Sequence, residues 1–185
     1  MMTSRSEYRL LLRQDNADLR LCPVGHRIGL VSDERLRRVE EKYAQVDREV
    51  RRLAAKGVPP TPALNDFLAR HGTAPVSDGA PLAALLRRPE VRYADLAPFD
   101  PDRPPLPPDV AEQVEISIKY AGYIQRQLQE VEELRRMEGR ALPPELDYAA
   151  IQGLRLEARE KLDAVRPLNI GQAGRISGVS PADVA

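Results

Sequence analysis

DERLRRVEEKYAQVDREVRRLAAK, residues 33–56, reads as one long amphipathic helix. Leu36, Val39, Tyr43, Val46, Val50 and Leu53 fall at alternating spacings of three and four, the period that lines apolar side chains along one helical face. Ser32 stands at the N-cap, where its hydroxyl accepts from a first-turn amide, and Gly57 stands where helices stop. The expected helix is about 36 Å long. Its seam covers only about three heptads, which favours packing in a bundle over a free-standing coiled coil. The remaining faces, rich in Arg, Glu and Asp, are those of a solvated helix.

A second long helix is expected from Asp109 to about Met137. Val110, Val114, Ala121, Leu128, Val131 and Leu134 keep a helical period there. Gly122 is expected at a close approach to a neighbouring element. Between the two seams lie shorter pieces. Thr61-Pro62 caps and starts a helix to His71, and a further one runs from Pro81 to Arg88 with Leu82, Leu85 and Leu86 on one face. Tyr93 to Ala97 forms a single turn. Pro98 to Pro108, PFDPDRPPLPP, has six prolines in eleven residues and reads as an extended linker. Near the end, a helix closing before Pro167 leads to two short helices joined at Ser177-Gly178-Val179, the second capped by Ser180. Their spacing suits a helix-turn-helix or a generic helical hairpin equally. The fold class is therefore all-α: two long helices whose seams face each other, several short ones, and a terminal hairpin. The expected segments are a junction at 1–31, a first helical part at 32–97, the linker at 98–108, and a second helical part with the hairpin at 109–185.

The opening run SRSEYRLLLRQDNADLRL, residues 4–21, holds the densest polar chemistry. Ser4 and Glu7 form a capping box, so a helix is expected to start at Arg5. Arg5, Arg9 and Arg13 are spaced by four and would lie on one face, with Tyr8, Leu11 and Leu12 turned to another. Two readings fit this row and Arg20: a solvated basic face paired with local acids, or guanidinium forks that grip phosphates or a partner's carboxylates.

Composition excludes several classes. Balanced charge, 28 Lys+Arg against 28 Asp+Glu, with no Trp and two Phe, describes an aliphatic helical core with solvated faces. The balance conceals a basic start: residues 1–56 carry 13 Lys+Arg against 9 Asp+Glu, and residues 57–152 carry 10 against 15. Residues 153–185 carry 5 against 4, so a polyanion would meet the ends of the chain first. One cysteine, Cys22, rules out an internal disulfide, and two distant histidines make no zinc site. The lone cysteine makes a reducing cytoplasm the expected compartment, and no apolar run approaches the roughly 20 residues of a membrane span, so no membrane partner is expected. Dinucleotide-binding, P-loop and nucleophile-elbow motifs are missing, and the glutamates near Glu130 sit on a charged helix as solvated residues. From chemistry alone the chain is a binding module with no catalytic, cofactor-binding or metal residues.

Three segments together carry a resemblance. SRSEYRLLLRQDNADLRL at 4–21, VEISIKYAGYIQRQLQEVEEL at 114–134 and RPLNIGQAGRISGVSPADV at 166–184 resemble, in order, the carboxy-terminal part of the glucose-inhibited division protein A family, also called MnmG. The resemblance implies a flavoenzyme that works with a GTPase subunit of the MnmE type on the wobble uridine of certain tRNAs, using FAD, NADH and methylene-tetrahydrofolate, as a homodimer. It also implies that the FAD-binding glycines and catalytic cysteines belong to an amino-terminal portion outside this chain, and that the last helix continues past Val184. Cys22 falls where the family commonly has a hydroxyl residue, so no catalytic role is carried onto it. The family's carboxy-terminal region is associated with tRNA binding and with docking the GTPase. Carried over, that makes Arg5, Arg9, Arg13 and Arg20 candidates at one surface and Gln172, Arg175, Ser177 and Ser180 at another. Alternatives stay open for each: the arginines as a bridge to the flavin domain, Ser180 as a helix cap, Gln172 as a bond within its own hairpin. The whole chain reads either as a tRNA- and partner-recognition domain or as a structural domain that docks protein only.

Overall fold

The computed structural model describes residues 8–184, which divide into two compact units between Ile124 and Gln125. The first unit contains α1 (Ala17–Arg27), α2 (Asp33–Ala55), α3 (Pro62–Arg70), α4 (Leu82–Leu86), a 3₁₀ helix (Ala94–Phe99) and the greater part of α5 (Pro108–Glu138). The end of α5 belongs to the second unit, with α6 (Leu156–Val165), α7 (Ile170–Gly174) and α8 (Pro181–Val184). The only sheet among the described residues is a two-residue antiparallel pair, β1 (Gly57–Val58) with β2 (Ala80–Pro81). The fold is all-α.

In the first unit, α2 forms where its caps and seam place it. Ser32 Oγ accepts the Arg35 N–H at 3.3 Å, and the helix ends at Ala55. The seam is buried toward its carboxy-terminal end, at Val46 and Leu53, where it meets Leu64 and Leu68 of α3, Leu82, Leu85 and Leu86 of α4, and Val110, Val114 and Ile118 of α5 in one cluster. Each fully buried leucine contributes about 1.5–3 kcal/mol by leaving water. The two long seams thus feed one core, with α4 packed on α2. The β1–β2 pair is too short to show in the sequence pattern. It is extended by the Leu82 N–H, which donates to the Lys56 carbonyl at 2.9 Å and fixes the start of α4.

Three expectations are corrected. Ser4, Arg5 and Glu7 lie outside the described residues, but from Tyr8 onward the anticipated opening helix is a single turn, with the Leu11 and Leu12 amides donating to the Tyr8 carbonyl. Arg13 Nη1 donates to the Leu10 carbonyl at 2.5 Å and Asn16 Nδ2 to the Leu11 carbonyl at 3.0 Å, so side chains take the acceptors that a continuing helix would use. Among the described residues the first helix begins at Ala17 and continues through Pro23, with Cys22 as its buried residue. The proline run is also not a free linker: Asp100 is buried, and Phe99 and Leu106 pack on the first unit's core. Gly122 faces open space, since a Cβ there would meet nothing within 4 Å.

In the second unit, Tyr148, Leu162 and Ala173 form a small core flanked by Leu142, Leu146, Ile151, Leu154, Ile176 and Val179. The close glycine contact lies here. A Cβ on Gly171 would stand 2.6 Å from Glu138 Cγ and 3.2 Å from the Glu138 amide nitrogen, so only glycine lets α7 reach the end of α5. Arg166, at φ 51, ends α6 in the left-handed region. Its guanidinium donates to the Leu146 carbonyl at 2.9 Å and lies 5.4 Å from the Tyr148 ring centre, which holds the turn in place.

Candidate nucleic-acid interface

Of the opening run's arginines, Arg5 lies outside the described residues, and Arg13 and Arg20 are tied to local partners. Arg9 is exposed and has no ion-pair partner among the described residues. Arg13 Nε reaches Asp15 Oδ1 at 3.0 Å and Oδ2 at 3.2 Å. Arg20 donates to Asn16 Oδ1 at 3.0 Å and to the Arg13 carbonyl at 3.2 Å. Arg13 and Arg20 therefore shape the turn that leads into α1.

That turn is clamped onto the two long helices. Gln113 Nε2 donates to Asp15 Oδ2 at 3.3 Å, the Tyr43 hydroxyl to Asp18 Oδ1 at 2.7 Å, and Lys42 Nζ to Asp18 Oδ2 at 3.0 Å. Lys42 also lies 3.8 Å from Asp109. Burial alone would raise the Asp15 and Asp18 carboxyls. The donors around them outweigh it, Arg13 and Gln113 for the first and Tyr43 and Lys42 for the second, and both lie below the usual carboxylate range. Burial, with the Asp18 charge, pushes the Tyr43 phenol up, so its hydroxyl stays a donor.

Beside the clamp, a polar groove of about 490 Å³ is lined by Arg35, Arg38 and Lys42 together with the carboxylates of Asp18, Glu34 and Asp109. Arg35, Arg38 and Lys42 follow a spacing of three and four along α2. Lys42 is held by Asp18 and Asp109, whereas Arg35 and Arg38 are exposed with no ion pair among the described residues.

The hairpin candidates are mostly engaged with their own surroundings. Asn169 caps α7 by accepting the Gln172 N–H at 2.8 Å, and Gln172 Oε1 accepts the Leu168 N–H at 2.8 Å. Arg175 Nη1 lies 2.6 Å from Glu138 Oε1. The Ser180 amide and hydroxyl both donate to Asp183 Oδ2, at 2.8 and 2.6 Å. Asp183, with a side chain 3% exposed, also takes a fork from Arg155, whose Nη2 is 2.5 Å from Oδ2. Arg155 first, then Ser180, hold its carboxyl far below the usual range. Ser177 is exposed. With five residues in α7 and four described in α8, neither has the length of a recognition helix within the described residues.

The sequence pattern of the tRNA modifying enzyme MnmG/GidA C-terminal helical domain matches residues 33–128, and that of the MnmG/GidA C-terminal helical bundle matches residues 130–185. The chain belongs to the MnmG/GidA family. Among its MnmG relatives, the tRNA uridine 5-carboxymethylaminomethyl modification enzyme of Caldicellulosiruptor saccharolyticus is 51% identical over 185 residues, and that of Bacillus subtilis 49%. Both matches cover 100% of this chain, which spans only 30% of the length of each relative. The structure of Aquifex aeolicus GidA in its form II crystal superposes with a TM-score of 0.64 at 35% identity, over 97% of this chain and 28% of that one.

Within this MnmG/GidA region, two features escaped the sequence reading. One is the Arg35–Arg38 pair, whose signal was its spacing along α2. The other is a buried ionic cluster of Glu49, Arg52 and Asp100, signalled by an acid lying between Val46 and Leu53 on the seam. Among the described residues, no group of three or more His, Cys, Asp or Glu could hold a metal, and no helix is long and apolar enough to cross a membrane.

Proposed function

We propose that this chain is the tRNA- and partner-recognition region of an FAD-dependent enzyme that modifies the wobble uridine of tRNA, and that it performs no catalysis itself. The observation that carries this reading is the tandem match of the two MnmG/GidA C-terminal patterns over residues 33–128 and 130–185. The guanidinium groups of Arg9, Arg35 and Arg38, which have no ion pair among the described residues, support phosphate contact, with Ser177 and Arg175 as a second candidate surface. The residues present do not fit FAD: β1 and β2 have two residues each, and neither leads through a glycine-rich turn into a helix N-terminus. FAD, NADH and methylene-tetrahydrofolate would be held elsewhere in a longer polypeptide that works with a GTPase subunit, as a homodimer, in the cytoplasm.

A second reading is favoured by α1. Leu21, Val24 and Ile28 follow one helical face and are 59%, 44% and 64% exposed, with Leu30 beyond them at 80%. On this reading the face docks the flavin-binding portion of the same polypeptide, since the chain spans under a third of its relatives' length. Titration of unmodified tRNA against the chain at several salt concentrations tests the first reading. Binding whose logarithm falls linearly with the logarithm of salt is expected, and no binding at low salt would overturn it.

A further inference from the structure

Tyr120 and Tyr123 stand one turn apart on α5, 42% and 60% exposed, while Val114 and Ile118 on the same helix are 0% and 4% exposed. The helical period thus turns the core residues inward and leaves both phenols outside. Their ring centres are 6.4 Å apart and their planes are tilted by 53°, so the rings do not stack on each other. They form one wall of a groove of about 430 Å³ whose other lining residues are Leu10, Arg87, Pro89 and Lys119.

The cations at its edge differ in how they are held. Lys119 Nζ donates to Glu115 Oε1 at 2.9 Å and to the Pro89 carbonyl at 3.2 Å, which fixes its position and leaves one of its three protons for another acceptor. Arg87 is exposed and has no ion pair among the described residues. Exposed aromatic rings flanked by fixed positive charge are the equipment of single-strand nucleic-acid sites, where bases stack and cations meet the backbone. We propose that this groove binds an unpaired base of RNA, stacked on Tyr123 with Tyr120 beside it, while Arg87 and Lys119 meet the adjoining phosphate. The proposal rests on the tRNA reading above and deepens it, at residues separate from the arginines of the opening run and from the hairpin. A protein hot spot also favours Tyr and Arg, so the test must separate the two.

The test measures anisotropy of two labelled RNAs of equal charge, an anticodon stem-loop and a blunt duplex, against the intact chain. Tyr120→Ala/Tyr123→Ala should weaken stem-loop binding by roughly 5- to 150-fold for each stacked base lost, and leave duplex binding unchanged. The corresponding Phe pair should bind like the parent chain. Arg87→Gln should lower the salt slope by about one, which the tyrosine variants should not do. Should the double alanine variant melt early, Tyr123→Ala alone decides, because its ring is the more exposed. Unchanged stem-loop affinity in the alanine variant overturns the groove and leaves the tRNA reading standing. Equal losses on both RNAs also overturn it, because stacking needs an unpaired base. Loss of GTPase-subunit capture at unchanged RNA affinity makes this a protein surface. If the parent chain binds neither RNA, the groove and the tRNA reading fall together.

Discussion

Arg52 Nη1 lies 2.9 Å from Asp100 Oδ1, joining α2 to the residue that follows the 3₁₀ helix. The same guanidinium takes both oxygens of Glu49, at 2.7 and 2.8 Å, and the Tyr93 hydroxyl donates to Glu49 Oε1 at 2.7 Å. Two carboxylates, each 2% exposed, therefore share one cation in the first unit's interior.

Removing that cation should cost far more than removing the whole cluster. Arg52→Met leaves both carboxylates buried without a counter-charge and should destabilise the first unit by about 3–5 kcal/mol. Adding Glu49→Gln and Asp100→Asn should recover much of that loss. Chemical denaturation of the three proteins measures it, and a loss near zero for Arg52→Met would show the carboxylates satisfied by other donors.

The second unit should be acid-sensitive through Asp183. Its carboxyl is depressed in the folded state, so its contribution is complete above the ordinary pKa of an unfolded aspartate, about 3.9, and disappears as pH falls from there toward the lower folded pKa. Asp183→Asn should lower stability at neutral pH and flatten the acid limb. Melting curves across that range, read on probes in α6 and α7, check both effects.

Gly171 and Gly174 should respond in opposite ways to alanine. Gly171→Ala drives a methyl into Glu138, backbone included, and should cost about 1–3 kcal/mol. Gly174 has open space around it, so Gly174→Ala should be neutral or slightly stabilising. Similar melting points for the two variants would show that the α7 contact can shift freely.

The exposed apolar residues that follow α1 should matter for association and little for folding. Ile28→Ser/Leu30→Ser should change stability by no more than about 0.5 kcal/mol, because both side chains are exposed. Sedimentation velocity of the two proteins checks association: the variant should self-associate no more than the parent chain. A large stability loss would mean that these side chains are packed within the chain.

The long helices were legible because an apolar seam reports itself locally. The helix expected at Asp33 to Lys56 is Asp33–Ala55, and the one expected at Asp109 to Met137 is Pro108–Glu138. The Ser32 and Thr61 caps and the terminal hairpin were readable for the same reason. The opening run was not, because its outcome turns on Arg13 and Asn16 taking backbone carbonyls in competition with a helix. The union of Glu49 with Asp100 bridges 51 positions, and no local period announces it. Among the candidate site residues, type and spacing singled out Arg13, Gln172 and Ser180, but only geometry shows that each already has a local partner.

Cys22 is the chain's one thiol and the residue that α1 buries, at 5% exposure. That makes it a built-in clock for the motions of α1. A thiol reagent can label it only when α1 lifts from its packing, so the labelling rate against reagent concentration reports how often and how fast that happens. A partner that seats on the outer face of α1 would slow the label without touching the sulfur. Binding at this surface is thus measurable on the unmodified sequence, with no probe introduced.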